Sequence, residues 1–358
     1  MKKNIGKIIF SLMICFTFSL IIAATSLAAT TVAVIGEKTY TSLSSAIKEV
    51  EDGQTIVLQK NISYSKNVGV NSTGKSFILD LNNKTIKFKG TSYLNIKNGT
   101  ITIKNGTIKN SAGNTVMSVK KNANVKISSG TYEGIIKNAG KLTINKGTFK
   151  TEIINTNTLL IKNGSFTEIK SNYDVSSVKD GILVNKGGVI TIKGGEFSST
   201  SRCNLIENYS NSTMKISGGR FTNSSAYSTS GTVIYNEGKV TFSNGTLSGE
   251  NYCQYVVLNE GGSFIMKGGT INQNAPYGHC AVITVGGTIK MSSGSIIGTN
   301  HYDAIVGQKD YNIKITGGNL SVNNTQAILL YGTSSYSIGS NVTISVTGNP
   351  QGVYIINE

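Results

Sequence analysis

The chain has 358 residues with 34 Lys and Arg against 18 Asp and Glu, a formal net charge of +16, and it holds 41 Gly, 2 Pro and no Trp. Much of the glycine recurs at regular intervals, so this is the composition of a repeat protein and not of a disordered chain. A solenoid also breaks the usual prior that such a length means two globular domains. The positive charge is almost all lysine, only Arg202 and Arg220 being arginine. No nucleic-acid-binding motif accompanies it, so nucleic acid is the weakest of the anionic partners to expect.

Residues 1–29 read as a secretory signal. Lys2, Lys3 and Lys7 form the basic start and Ile8 to Ala24 the apolar core. Ser26-Leu27-Ala28 and Leu27-Ala28-Ala29 are small-residue cleavage sites. The apolar run is short for a spanning helix, and Leu12-Met13-Ile14-Cys15 is a poor lipobox in mid-run. The expectation is a secreted chain, free or retained at the cell surface, with no transmembrane anchor after cleavage. Removing the three leader lysines leaves a net charge of about +13.

Residues 30–90 read as an N-terminal cap and first coils. Val32-Ala33-Val34-Ile35 and Lys38-Thr39-Tyr40 are strand-like. Leu43, Ala46, Ile47 and Val50 then fall at helical spacing behind Thr41 or Ser42 as N-cap. This amphipathic helix is expected to cover the open end of the solenoid, since terminal repeats need a cover. Strands are expected at Thr55–Leu58, 77–81 and 86–88.

Residues 91–358 carry the repeat. Its skeleton is an apolar residue, two polar or small ones, Gly, a variable residue and an apolar one, as in Ile144-Asn145-Lys146-Gly147-Thr148-Phe149. It occurs ten times, with glycine steps of 24, 17, 17, 31, 24, 26, 24, 25 and 24 from Gly106 to Gly318. Self-similarity at roughly 20 to 30 residues means a solenoid. Apolar residues alternate with Thr, Lys and Ser before each glycine, the period-two pattern of a strand with one buried face. The steps leave no room for a crossover helix, so each turn must be strand and corner. The Leu-rich horseshoe is excluded because its consensus is missing.

A second column precedes the glycines by nine to eleven residues: Asn138, Asn155, Asn185, Asn208, Asn236 and Asn259. Asn tolerates turn conformations and bonds neighbouring backbone, so these residues are expected to stack as an amide ladder. With these motifs the chain resembles the pectin-lyase-like superfamily of parallel β-helices. More narrowly, it is similar to the adhesin-like β-helix repeat proteins secreted or displayed by Gram-positive bacteria. The stretch Leu79-Asp80-Leu81-Asn82-Asn83-Lys84-Thr85-Ile86 is similar to that family's opening coils. The resemblance implies an all-β, single-stranded, right-handed parallel β-helix. Right-handedness also follows from the general chirality of parallel crossovers.

The 31-residue step carries an extra loop near Lys170 to Asp180. Beyond Leu320, residues 328–330, 342–346 and 353–356 read as final coils. No sorting signal or wall-binding module is visible, so the last edge is expected to need its own loops, a partner or a second copy as cover. Past the leader, Cys203, Cys253 and Cys280 remain. They read as buried thiols, with a Cys253–Cys280 bridge as the alternative that spacing does not decide.

For chemistry, the hydrolases of the resembled superfamily use aspartates on neighbouring strands, and the lyases use calcium-holding carboxylates with a basic residue. The six aspartates here are scattered, and Asn-Thr-Asp, Gly-His-Gly and Arg-x-Lys signatures are missing. Shifting by the glycine steps instead stacks Tyr252, Tyr277 and His301 in one column and Gln254, His279 and Asp303 in the next. His279 oriented by Asp303 would make a general base, with His301 beside them. Tyr252, Gln254 and Tyr277 would bind sugar, tyrosine faces suiting a pyranose ring.

Three functions stay open at this level. One is a non-catalytic, adhesin-like scaffold for anionic polysaccharide, a cell-envelope glycopolymer or a host surface, needing no cofactor or metal. Another is a polysaccharide lyase or glycosidase centred on His279 and Asp303, with calcium under the lyase form. The last is a purely structural surface protein. The lysines have two readings as well: a solvated surface that resists aggregation, or attraction to anionic polymers.

Overall fold

A computed structural model describes residues 31–356 apart from 112, 169–180, 202, 226–230, 333 and 349–351. The leader and the loop near Lys170 to Asp180, with Tyr173 and Asp174, lie outside the described residues. The rest winds into a parallel β-solenoid of about 12 turns. It opens with β1 (Ala33–Ile35) and β2 (Lys38–Tyr40), an antiparallel pair turned at Gly36. α1 (Leu43–Glu49) follows, its Ser42 N-cap side chain accepting from the Ser45 amide at 3.0 Å. Leu43, Ala46 and Ile47 are the buried side of this helix, as their spacing predicts. β3 (Thr55–Leu58) pairs antiparallel with β1 and parallel with Val68–Asp80, and from there the ladder is parallel throughout.

Each later turn has three strands, represented by Ile206–Asn208, Thr213–Ile216 and Arg220–Asn223. First and second strands build one sheet, and third strands stack into a separate sheet of 13. In the early turns the first two strands run on as single pieces, Val68–Asp80, Leu94–Lys104 and Thr115–Ile127. They separate at a corner from Asn138 onward, where the asparagine column begins.

That column is the expected amide ladder, and it faces inward. Nδ2 of Asn138, Asn155, Asn185, Asn208 and Asn236 each donates to Oδ1 of the next Asn, at 2.6, 2.9, 2.9, 2.8 and 2.6 Å. Asn259 ends the run on the Thr284 hydroxyl at 3.0 Å. Each Nδ2 also donates to a corner carbonyl, Gly188 for Asn185 at 3.0 Å. Buried amides are tolerable only because both ends are satisfied in this way.

The last apolar position of the repeat builds a second column. Tyr132, Phe149, Phe166, Phe197 and Phe221 occupy successive rungs, with ring centroids 4.5–5.1 Å apart and planes within 10°. Isoleucine and leucine continue it through Leu320. The glycine two residues earlier turns the chain into this strand. At Gly195 φ is +110°, and a Cβ there would stand 2.9 Å from the Gly164 carbonyl oxygen of the rung below. Conformation and close approach therefore both demand glycine.

Two substitutions separate the columns. Phe197→Ala should cost about 3–5 kcal/mol, and Asn208→Ala about 1–3 kcal/mol through its orphaned neighbours. Urea midpoints of both variants check this, and an unshifted midpoint for Asn208→Ala would show the ladder to be dispensable.

Candidate functional site

The polar and aromatic residues singled out in the sequence lie where the third strand of one turn passes into the first strand of the next. Left-handed asparagines bend these connections: φ is +56° at Asn251 and +57° at Asn300, and His301 follows at +70°. Gln273, fully buried, braces them from inside. Its Nε2 reaches the carbonyls of Cys253, Gln254 and Cys280 at 3.1, 3.1 and 3.3 Å. Asn223 does the same two turns earlier, donating to the Cys203 and Thr232 carbonyls at 2.9 Å.

On this braced edge Tyr252 and Tyr277 come together as their column predicts. Their rings stack at 4.6 Å with 12° between planes. Tyr277 is 65% exposed. With one face on Tyr252, such exposure leaves the opposite face open. Gln254 and His279 occupy neighbouring rungs, the His279 amide donating to the Gln254 carbonyl at 2.9 Å. His279 is exposed, with its ring 5.7 Å from that of Tyr255. His301 sits at the turn on the following rung and is also exposed.

Asp303 does not join His279. Cys280–Val285 pairs with Ile305–Gln308 at a step of 23 residues, which sets Asp303 opposite Cys280 and leaves Tyr302 opposite His279. The displacement has a local cause. The corner after Val285 holds two residues, Gly286 and Gly287, whereas the corner after Gln308 holds three, Lys309, Asp310 and Tyr311. The step is 25 residues on the third strands, 23 on the first and 24 on the second, so the first strand falls one short of the Gly294–Gly318 step. Asp303 instead accepts from the Thr325 hydroxyl. No hydrogen bond or ion pair between His279 and Asp303 occurs among the described residues. Tyr302 reaches sideways, its hydroxyl donating to the Pro276 carbonyl at 2.8 Å.

The cysteines are buried thiols, as expected: Cys203, Cys253 and Cys280 are free and buried, and the alternative Cys253–Cys280 bridge is not formed. Cys253 belongs to the main core, while Cys280 packs with Ile283 and Val306 in a separate cluster. The two thiols thus serve different packing environments. Burial pushes the Cys203 thiol up to about 11 and raises the Cys253 and Cys280 thiols well above the ordinary thiol range.

The aspartates alone miss a glutamate group on the first strands. Glu237 and Glu260 each follow a ladder asparagine and occupy neighbouring rungs. The Tyr235 hydroxyl lies 2.6 Å from Oε1 of Glu237 and 3.0 Å from Oε2 of Glu260. Burial, then these two carboxylates, push the phenol well above its ordinary value. One rung below, buried Glu207 accepts from the Asn204 amide at 2.9 Å and the Tyr209 hydroxyl at 3.0 Å. The phase of the asparagine column would have found these residues. The phenol fills the gap between the carboxylates, where a glycosidic oxygen would have to sit, so the group braces the sheet. Among the described residues, no three His, Cys, Asp or Glu side chains assemble into a metal-holding group, and no helix is long and apolar enough to cross a membrane.

Comparison with protein-family models, with curated proteins and with solved structures finds no match to this chain.

Asp303 provides a pH test of its surroundings. Burial, opposed by bonds from Thr325 and the Gln326 backbone, holds its carboxyl above the ordinary value of 3.8. The folded chain therefore binds this proton more tightly than the unfolded one. Its favourable contribution is complete below the unfolded value and is lost as pH rises through the raised folded value. Asp303→Asn should raise the melting temperature near neutrality, with the gain shrinking as pH falls from about 7 to 4. Paired thermal melts across that range check it, and a pH-independent gain would contradict it.

Proposed function

We propose that this chain is a secreted or cell-surface, non-catalytic scaffold that binds glycan on the braced edge of its solenoid. In this reading the solenoid winds right-handed and α1 closes its first coil. The partner is a cell-envelope or acidic polysaccharide or a host-surface glycan. The observation that carries the reading is the Tyr252–Tyr277 pair. An exposed, pre-stacked aromatic surface offers a sugar a large apolar contact at little conformational cost. The Gln273 brace beneath keeps the connecting backbone in place. His279, exposed beside Tyr255, supplies a hydrogen-bonding group next to the rings. Sugar binding draws on ring face and polar rim; glycosidic cleavage would need a proton donor and a base flanking one bond. Asp303, bonded to Thr325, does not orient His279, so the pairing expected from the repeat alignment lends the catalytic alternative no support.

The purified mature protein should bind a subset of a neutral and anionic polysaccharide panel without producing new reducing or unsaturated ends. Tyr277→Ala should weaken that binding about tenfold, an aromatic contact being worth roughly 0.5–1.5 kcal/mol beyond its area, while Tyr277→Phe keeps most of it. Cleavage of any polysaccharide, or unchanged binding by Tyr277→Ala, would sink the reading.

A further inference from the structure

The last turn leaves the core open. Tyr336, Ile344 and Ile355 stand one rung beyond Ile313, Leu320 and Leu330 in the inward columns. Ile313, Leu320 and Leu330 are fully buried. Tyr336 is 44% exposed and Ile355 37%, and Ile344 is half-buried. At the first coil α1 buries Leu43, Ala46 and Ile47, whereas among the described residues no helix lies beyond the last turn. The strands Ser335–Ile338, Val342–Thr347 and Val353–Ile356 each pair with one neighbour only among the described residues. A row of backbone donors and acceptors therefore faces out along the solenoid axis.

Proteins ordinarily blunt such an edge with charge, proline or a bulge. These three strands hold no charged residue and no proline. From Gly332 to Asn357 there is no Asp, Glu, Lys, Arg or His, in a chain of net charge +16. Lys290 and Lys314 occupy one column on the two preceding rungs, and Ser337 takes the next place in it. An anionic partner finds no cation on this end. Two copies of so basic a chain repel each other where lysine is exposed, and this end carries none of that charge.

The edge strand also matches itself. Val342-Thr343-Ile344-Ser345-Val346 reads nearly alike in both directions about Ile344. Val342, Ile344 and Val346 are half-buried, and Thr343 and Ser345 are exposed. Antiparallel pairing with its own copy sets Ile344 against Ile344, Val342 against Val346 and Thr343 against Ser345, so like sides meet.

We infer that the last turn is a self-association surface on which two copies of this chain meet tail to tail. The two-fold axis passes through Ile344, and the interface is isologous. The same axis brings the edges Ser335–Ile338 and Val353–Ile356 of opposite copies together. Both turn two apolar residues toward the core, Tyr336 and Ile338 on one and Val353 and Ile355 on the other. Each copy thereby covers the open core of the other and pairs its free backbone groups. The inference stands apart from the glycan-binding reading, since it uses none of Tyr252, Tyr277 or His279.

Sedimentation velocity of the mature protein over a dilution series tests it. The parent should sediment as a dimer that dissociates on dilution. Thr343→Lys with Ser345→Lys, at two exposed positions, places like charges directly opposite one another and should weaken self-association at least about tenfold. Far-UV circular dichroism should stay that of the parent. Thr343→Glu with Ser345→Glu should behave in the same way alone. Mixing the Lys and Glu variants in equal amounts should restore a dimer of one copy each, which a merely misfolded variant would not do. Tyr277→Ala should leave the dimer intact. A monomeric parent, a dimer that survives the Lys pair, or no recovery on mixing overturns the inference.

Discussion

Every side chain in this protein has to coexist with its counterpart in the rung above and below, about 4.8 Å away. That spacing governs the rest of the structure. A buried amide at this distance can bond the next amide, so the asparagine corner is stable as a column and costly as a single residue. Flat rings at this distance stack face to face, so Phe149 through Phe221 form one continuous stack in the core. At the glycine corner the same closeness leaves no space for a Cβ. The three columns are one constraint met by three chemistries.

The constraint also sorts what lies outside. Outward positions repeat as strictly as inward ones but are free of packing, so each face can carry its own chemistry. The first-strand face gathers glutamates and tyrosines into a hydrogen-bonded group around Tyr209 and Tyr235. The second-strand face carries lysine among Ser and Thr. The connections between third and first strands are where the repeat varies in length, and there Tyr277 reaches solvent. Gln273 and Asn223 show how such variable segments stay ordered: one buried amide collects the carbonyls that the irregular backbone leaves over.

Repeat alignment succeeded wherever the spacing between two landmarks was conserved. The asparagine column, the glycine corner and the stacking of Tyr252 on Tyr277 all follow from counting along the chain. It failed at Asp303, where the connection into the first strand gives up two residues and the corner Lys309-Asp310-Tyr311 gains one back. A glycine-to-glycine count registers only the net change, not how it divides between connection and corner. The cysteines are the buried thiols that their sequence reading expects. Cys253 and Cys280 lie in neighbouring turns, yet their side chains belong to separate clusters, and sequence distance carries no information about which side of a strand a thiol faces once a connection is irregular. The Tyr235 group was legible but needed glutamate to be read in the phase of the asparagines.

The sequence by itself determined the architecture, because period, glycine and asparagine each encode a local conformational requirement that only a parallel solenoid meets in common. It also determined the charge of the second-strand face, since strict alternation fixes which residues point outward. Only the tertiary structure decided the site. Whether His279 meets a carboxylate, which rings stack in the open and which acids are already engaged all depend on register between turns. Register is set by the sum of two corner lengths, and pairing between strands some 25 residues apart reveals how that sum is divided.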